Sequence, residues 1–172
     1  IIWMKFDKRC FSLKKDVFVC ATYIPPNVSF KDPNEKYFLW DKIEEGVSKY
    51  SSMGDILILG DLNSRTCIEN EVLEYSKELD FDINYPVIND DVRNRISEDK
   101  IVNQFGRRLL DLCRHTNMCI VNGRKIGDLQ GRYTCHEYNG SSVVDYCIVN
   151  REMFKQIMYF KVNDLSHISD HC

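Results

Sequence analysis

The sequence predicts an α/β domain in which two facing β-sheets are flanked by helices. Three features carry that expectation. Short apolar runs rich in β-branched and aromatic residues alternate with stretches whose apolar side chains recur at helical spacing. One such run, Ile56-Leu57-Ile58-Leu59, gives way at once to the polar turn Gly60-Asp61-Leu62-Asn63. Late in the chain, Asn139-Gly140 stands between two strand-like runs and signals a hairpin. The 172 residues, 44% of them apolar, suffice for one core and offer no boundary at which to place a second domain.

Taken in order, residues 16–24 are β-branched and aromatic and end at Pro25-Pro26, so they read as a strand that delivers Tyr23 at its end. A helix start follows at Asp32-Pro33-Asn34-Glu35, with Asp32 as cap, Pro33 in the first helical position and Glu35 completing a capping box. Trp40, Ile43, Val47 and Tyr50 then give one apolar stripe to lay on a sheet. Residues 56–59 read as a fully buried strand, residues 69–79 as a helix, and residues 80–103 as an irregular surface segment. Phe105, Leu109, Leu112 and Cys113 restore a helix that ends near Asn117, before a short buried strand at 118–121. The expected hairpin pairs 131–137 with 143–149. That places Asp145 mid-strand, where a carboxylate needs a partner, and His171 is the obvious one. A helical piece at 152–157 and a strand at 158–162 lead to Ser169-Asp170-His171.

Composition excludes several classes of protein. No run of 18 apolar residues exists to span a membrane, and the Ile-Ile-Trp-Met start is too short for a secretion signal. An intracellular protein, nuclear or cytoplasmic, is expected. Eight cysteines form no C-x-x-C pair, and Cys20, Cys119, Cys135 and Cys147 lie inside apolar runs, so free buried thiols are expected rather than a disulfide scaffold or a zinc site. The net charge of −3 argues against a globally basic nucleic-acid binder. Residues 92–132 nevertheless carry nine Lys/Arg against four acids, so one face suited to phosphate weighs evenly against a merely solvated one.

Asp61 and Asn63 sit two apart at a strand end, so both side chains can address one small volume without a helix to space them. Alone, the pair is equally an ordinary turn, since both residue types bond their own backbone. Company changes the weighing: Tyr23-Ile24-Pro25-Pro26 precedes it, and Ser141-Ser142-Val143-Val144-Asp145-Tyr146 and Ser169-Asp170-His171 follow. This ordered set resembles the endonuclease/exonuclease/phosphatase superfamily, whose fold is that of deoxyribonuclease I. More narrowly, Gly60-Asp61-Leu62-Asn63-Ser64-Arg65-Thr66, Asn103-Gln104-Phe105-Gly106 and Val121-Asn122-Gly123-Arg124 are similar to the endonuclease domain of non-LTR (LINE-type) retrotransposons.

The resemblance implies a four-layer sandwich and a metal-dependent phosphodiester hydrolase that nicks target DNA, with a reverse transcriptase elsewhere in the parent chain. Asp61 would orient or deprotonate the attacking water and Asn63 would help hold water and phosphate in line. Asp145 would bond one nitrogen of His171, so that the other donates to the phosphate as negative charge grows. Tyr23 would donate to a phosphate oxygen, and Thr134 would lie near bound DNA. Asp61, Asn63 and Asp170 would surround Mg²⁺, with Mn²⁺ as its substitute. The family pattern also has earlier strands bearing an Asn and the principal metal-binding Glu, and a strand after Ser-Asp-His; neither is in these 172 residues. The expectation is therefore a single partial domain, 1–172, that cleaves poorly on its own. Cys67 stands where the retrotransposon pattern commonly has Gly. Two alternatives remain: a phosphatase or RNA nuclease of the same superfamily, and a catalytically dead remnant that binds nucleic acid or protein.

Overall fold

Among the described residues, 1–26, 33–71 and 94–172 of a computed structural model, five strands form a mixed sheet and two form a separate hairpin. The larger sheet holds β1 (Ile2–Phe6), β2 (Val17–Tyr23), β3 (Asp55–Asp61), β4 (Met118–Ile120) and β7 (Asp145–Asn150), in the spatial order β1-β2-β3-β7-β4. The smaller pairs β5 (Cys135–Glu137) with β6 (Gly140–Ser142). β2 and β3 run parallel across the helix α1 (Pro33–Tyr50), as a parallel pair requires a crossover, while the remaining pairs are antiparallel. Register sets Tyr23 beside Asp61 and Asp61 opposite Asp145, so three polar residues end adjoining strands at one edge.

Each helix covers the sheet with the stripe its sequence supplies. Trp40, Ile43 and Val47 of α1 are buried with Phe105, Leu109 and Leu112 of α2 (Gln104–Thr116) against Phe18, Cys20, Ile56, Ile58 and Ile148. Asn103 caps α2 through the Gly106 amide, and Asn117 closes it in the left-handed conformation at φ 55°. The opposite face is covered by Phe154 and Met153 of α3 (Arg151–Gln156), packed with Cys119, Cys147, Val149 and Leu57. That cover does not reach the end of β3, where Leu59 is 38% exposed, so the strand is one-sided there rather than fully buried. Asp32 as a cap, the helix over 72–79 and the irregular stretch 80–93 lie outside the described residues; Glu69, Asn70 and Glu71 are not helical.

Three further expectations are corrected. The hairpin turns at Tyr138-Asn139 and joins Cys135–Glu137 to Gly140–Ser142. The second strand then breaks at Val143-Val144, because the Thr134 hydroxyl accepts from both the Val144 and Asp145 amides, each at 3.0 Å, and releases β7 into the larger sheet. Residues 158–162 make only an isolated bridge between Ile126 and Tyr159. Segment 94–103 is irregular but not superficial: Arg95, Ser97 and Asp99 are buried, since Asp99 bonds Arg65 and the Val143 amide. Three of the basic segment's side chains are engaged within the protein. Arg124 is buried against Glu71, Arg108 meets Asp41 and Glu44, and Arg132 meets Asp164. β1 escaped the sequence reading because it is an edge strand with Ile2 and Met4 outward; Trp3 alone reaches inward, to Tyr50 at 5.1 Å. The eight cysteines are free, as expected.

Candidate active site

Asp61 reaches its position through a glycine. Gly60 sits at φ +143°, and a Cβ there would lie 1.8 Å from the Thr22 carbonyl oxygen, so only glycine lets β3 approach β2 while re-aiming its last residue. Past Asp61 the chain turns on Asn63, held at φ 47°, a left-handed conformation that asparagine tolerates better than most residues. The Asn63 amide N–H donates to Asp61 Oδ1 at 2.8 Å, and its side-chain Nδ2 donates to Asp61 Oδ2 at 3.1 Å and to the Ile24 carbonyl at 2.9 Å. Asn63 thereby clamps both oxygens of Asp61 and ties them to the end of β2. A second asparagine backs this loop: Asn103 Oδ1 accepts from the Arg65 amide at 3.0 Å, and its Nδ2 donates to the Asn63 carbonyl at 2.9 Å.

Asp145 opens β7 directly across from Asp61, and its Oδ2 lies 2.8 Å from His171 Nδ1. A carboxylate partner makes Nδ1 the protonated nitrogen and leaves Nε2 for a ligand. His171 itself is laid beside β5 by backbone bonds on either side, from His136 to the Asp170 carbonyl at 2.8 Å and from Cys172 to the Thr134 carbonyl at 2.9 Å. Residues far apart in sequence thus converge: Tyr23, Asp61, Asn63, Asp145 and His171 share one end of the sheet. Tyr23 is 58% exposed there rather than in the core.

Charge is concentrated at this edge. Burial and the facing Asp145 carboxylate raise the pKa of Asp61, against the bonds from Asn63 and the nearby imidazole. Partial burial works to lower the pKa of His171, but the bond and charge of Asp145, with the charges of Asp61 and Asp170, outweigh it, so the imidazole holds its proton above the ordinary range. Two carboxylates set opposite one another, with the Asn63 side chain bonded to one of them, offer hard oxygen donors of the kind that fit Mg²⁺ or Mn²⁺. Thr134 differs from expectation in placement: it is buried and its hydroxyl is spent on the β7 amides, so it positions Asp145 rather than facing solvent.

Sequence reasoning gave no role to three residues that build the site. Asn103 stood in the sequence only as part of the Asn103-Gln104-Phe105-Gly106 motif, not as the brace of the Asn63 loop. Asn122 donates to the Asp145 carbonyl at 3.1 Å and accepts from the Cys147 amide at 3.0 Å, which no spacing signals. Cys135 brings its thiol within 4.8 Å of donor atoms of Asp170 and His171.

No protein-family model and no curated protein matches the chain. Solved structures do. The 3′ phosphatase NExo from Neisseria, bound to a product DNA hairpin, superposes with a TM-score of 0.58 at 13% identity over 91% of this chain. The 3′-5′ exonuclease NExo from Neisseria meningitidis does so with a TM-score of 0.55 at 15% identity, again over 91% of this chain. In both comparisons the chain spans 58% of the length of the solved protein. Among the described residues, no helix is long and apolar enough to cross a membrane. With its five-stranded sheet, smaller sheet and flanking helices, and with this likeness to the two solved structures, the chain has the deoxyribonuclease I-like α/β fold.

Proposed function

We propose that the chain is a metal-dependent phosphodiester hydrolase whose substrate is DNA, and that it serves as the nicking endonuclease of a non-LTR retrotransposon. The observation that carries the reading is the Asp145–His171 bond of 2.8 Å placed across one strand register from Asp61. Asp61, with its proton affinity raised by burial and by Asp145, is suited to take a proton from an attacking water. Asn63 fixes the carboxylate that does so. His171, protonated through Asp145, donates from Nε2 to the phosphoryl oxygen on which charge grows. Tyr23, exposed at the end of β2, adds a second donor on the same side. Asp61, Asn63 and Asp170 would hold Mg²⁺, or Mn²⁺ in its place, which when bound supplies Lewis-acid charge to the phosphate.

The likeness to NExo bound to product DNA supports DNA as the substrate class. The narrower retrotransposon reading, with a reverse transcriptase as partner domain, draws support from where one of its motif residues sits: Asn103 braces the Asn63 loop. The test is nicking of supercoiled plasmid by the full natural polypeptide carrying these residues, with Mg²⁺, with Mn²⁺, and with chelator. Nicking that needs the cation and is lost in Asp61→Ala and His171→Ala is expected. Turnover of poly(A) or inositol phosphates in preference to duplex DNA would reassign the substrate, and DNA binding without any cleavage would reduce the chain to a binding domain.

A further inference from the structure

The candidate site holds one group that hydrolysis does not use. Cys135 opens β5 almost fully buried, and its Sγ, a carboxylate oxygen of Asp170 and a ring nitrogen of His171 lie within 4.8 Å of one another. Two backbone bonds hold that arrangement, from His136 to the Asp170 carbonyl and from Cys172 to the Thr134 carbonyl, and together they make the Cys135–His171 bridge. Sulfur, nitrogen and oxygen donors on one point are a poor match for Mg²⁺, which prefers oxygen. They suit a softer ion, because Zn²⁺ and Cd²⁺ accept thiolate, imidazole and carboxylate in a four-coordinate shell.

We propose that Cys135, Asp170 and His171 form an inhibitory site for a thiophilic divalent cation, Zn²⁺ or Cd²⁺, with a fourth position left to water. Ligand atoms in such a shell stand roughly 3.5 Å apart, so closing the site needs movements of about 1 Å, which the exposed Asp170 side chain can supply. On binding, the Sγ–H proton and the Nε2–H proton of His171 pass to water, and the sulfur and Nε2 become ligands. Asp145 already bonds Nδ1, which leaves Nε2 to coordinate, and a carboxylate behind a ligating imidazole is the usual outer partner. The ion would occupy the nitrogen that otherwise donates to phosphate and would draw Asp170 from its own place. Binding stands by itself; the inhibitory consequence rests on the hydrolase reading above.

Two readouts keep these apart. Cd²⁺ titrated into the full natural polypeptide, followed by thiolate-to-metal absorption in the ultraviolet, should give a saturable band that is lost in Cys135→Ser and weakened in His171→Ala, each variant being checked for fold by circular dichroism. In plasmid nicking with Mg²⁺, Zn²⁺ should inhibit, and Cys135→Ser should need at least about 10-fold more Zn²⁺, the low end of what losing even an outer partner costs. A Cd²⁺ band that survives in Cys135→Ser, or one that matches among wild type, Cys135→Ser and His171→Ala, overturns the site. Unaltered inhibition in Cys135→Ser overturns the regulatory role. Absence of nicking by the wild type counts against the hydrolase alone, since the Cd²⁺ titration still decides the site.

Discussion

Asp61 and Asp145 stand opposite one another on the antiparallel strands β3 and β7, two carboxylates sharing one end of a ladder, with His171 bonded to the second. Like charges at directly opposed positions oppose folding. On the hydrolase proposed above, a strand-end register that brings two acids together would also bring them to one phosphate, with stability given up for function.

Asp61→Asn should therefore abolish cleavage while leaving the fold as stable or more so. Folding raises the pKa of Asp61 through burial and Asp145. As pH rises past the unfolded value of 3.8, the unfolded chain ionises first, so stability falls until the folded carboxyl also ionises, and stays lower at neutral pH. Asparagine removes that loss and keeps the acceptor for the Asn63 amide. In chelator-containing buffer, the urea midpoint at neutral pH should match or exceed wild type, the gain shrinking toward about pH 4. Nicking should drop by about 10²–10⁴-fold. A lower midpoint at neutral pH would mean that the carboxylate pair is not strained.

Asp145→Asn should act in the reverse pH direction. The folded pKa of His171 is raised over its ordinary 6.5, so the stability it contributes is fully present below 6.5 and is lost as pH rises through the folded value. Without the Asp145 charge, a proton titration of the His171 ring by NMR should move to lower pH. Any stability lost should appear on the acid side and vanish above the wild-type midpoint. An unmoved ring titration would show that the 2.8 Å bond does not set the protonation of His171.

Gly60→Ala tests the turn that aims Asp61. The added Cβ meets backbone, the Thr22 carbonyl at 1.8 Å, not the tip of a flexible side chain, and the residue sits at φ +143°. Separating β2 from β3 should cost at least about 2 kcal/mol in urea unfolding. It should also impair cleavage beyond what the lost fold accounts for. Wild-type stability in this variant would mean that the two strands do not approach as described.

How far the sequence could be read follows from the range of the forces involved. β3, α1 and α2 were legible because apolar spacing and caps are local: Ile56 to Leu59 and Trp40, Ile43, Val47 each fit a single period. The meeting of Asp61 with Asp145 and of Asp145 with His171 came from the ordered motifs, whereas their register depends on strand pairing that no local pattern encodes. The hairpin was placed too far out because Val143 and Val144 read as strand, while one hydroxyl, Thr134, accepts both following amides and bends the chain there. Segment 94–103 looked superficial from its polarity. It is held inside by the Arg65–Asp99 pair, at 2.7 and 2.8 Å, between residues 34 apart.

Cys67 offers the converse of Gly60. It sits at φ 49°, in the left-handed region that favours glycine, three residues beyond Ser64 in the loop after the site. Holding a side chain there costs roughly 1–2 kcal/mol, partly offset because glycine gives the unfolded chain more freedom. Cys67→Gly should raise the urea midpoint by up to about 1 kcal/mol and leave cleavage unchanged. A clear fall in stability would show that the Cys67 side chain makes packing contacts worth more than the backbone strain.

Arg124 and Glu71 form an ion pair with both side chains almost fully buried. Glu71 also accepts from the Ile120 amide at 2.9 Å, and Arg124 donates to the Ile120 carbonyl at 2.8 Å, so the pair fixes the end of β4 from both sides. This member of the basic segment is thus internal, and its loss should be felt as instability rather than weaker DNA binding. Arg124→Met strands a buried carboxylate and should cost about 3–5 kcal/mol. Glu71→Leu with Arg124→Met should recover much of that, because an apolar pair carries no desolvation penalty, less what the orphaned Ile120 amide and carbonyl cost. Urea unfolding of the two single variants and the double measures the coupling. If Arg124→Met instead keeps the wild-type midpoint and lowers plasmid affinity with a reduced salt dependence, the guanidinium faces phosphate and its burial against Glu71 is refuted.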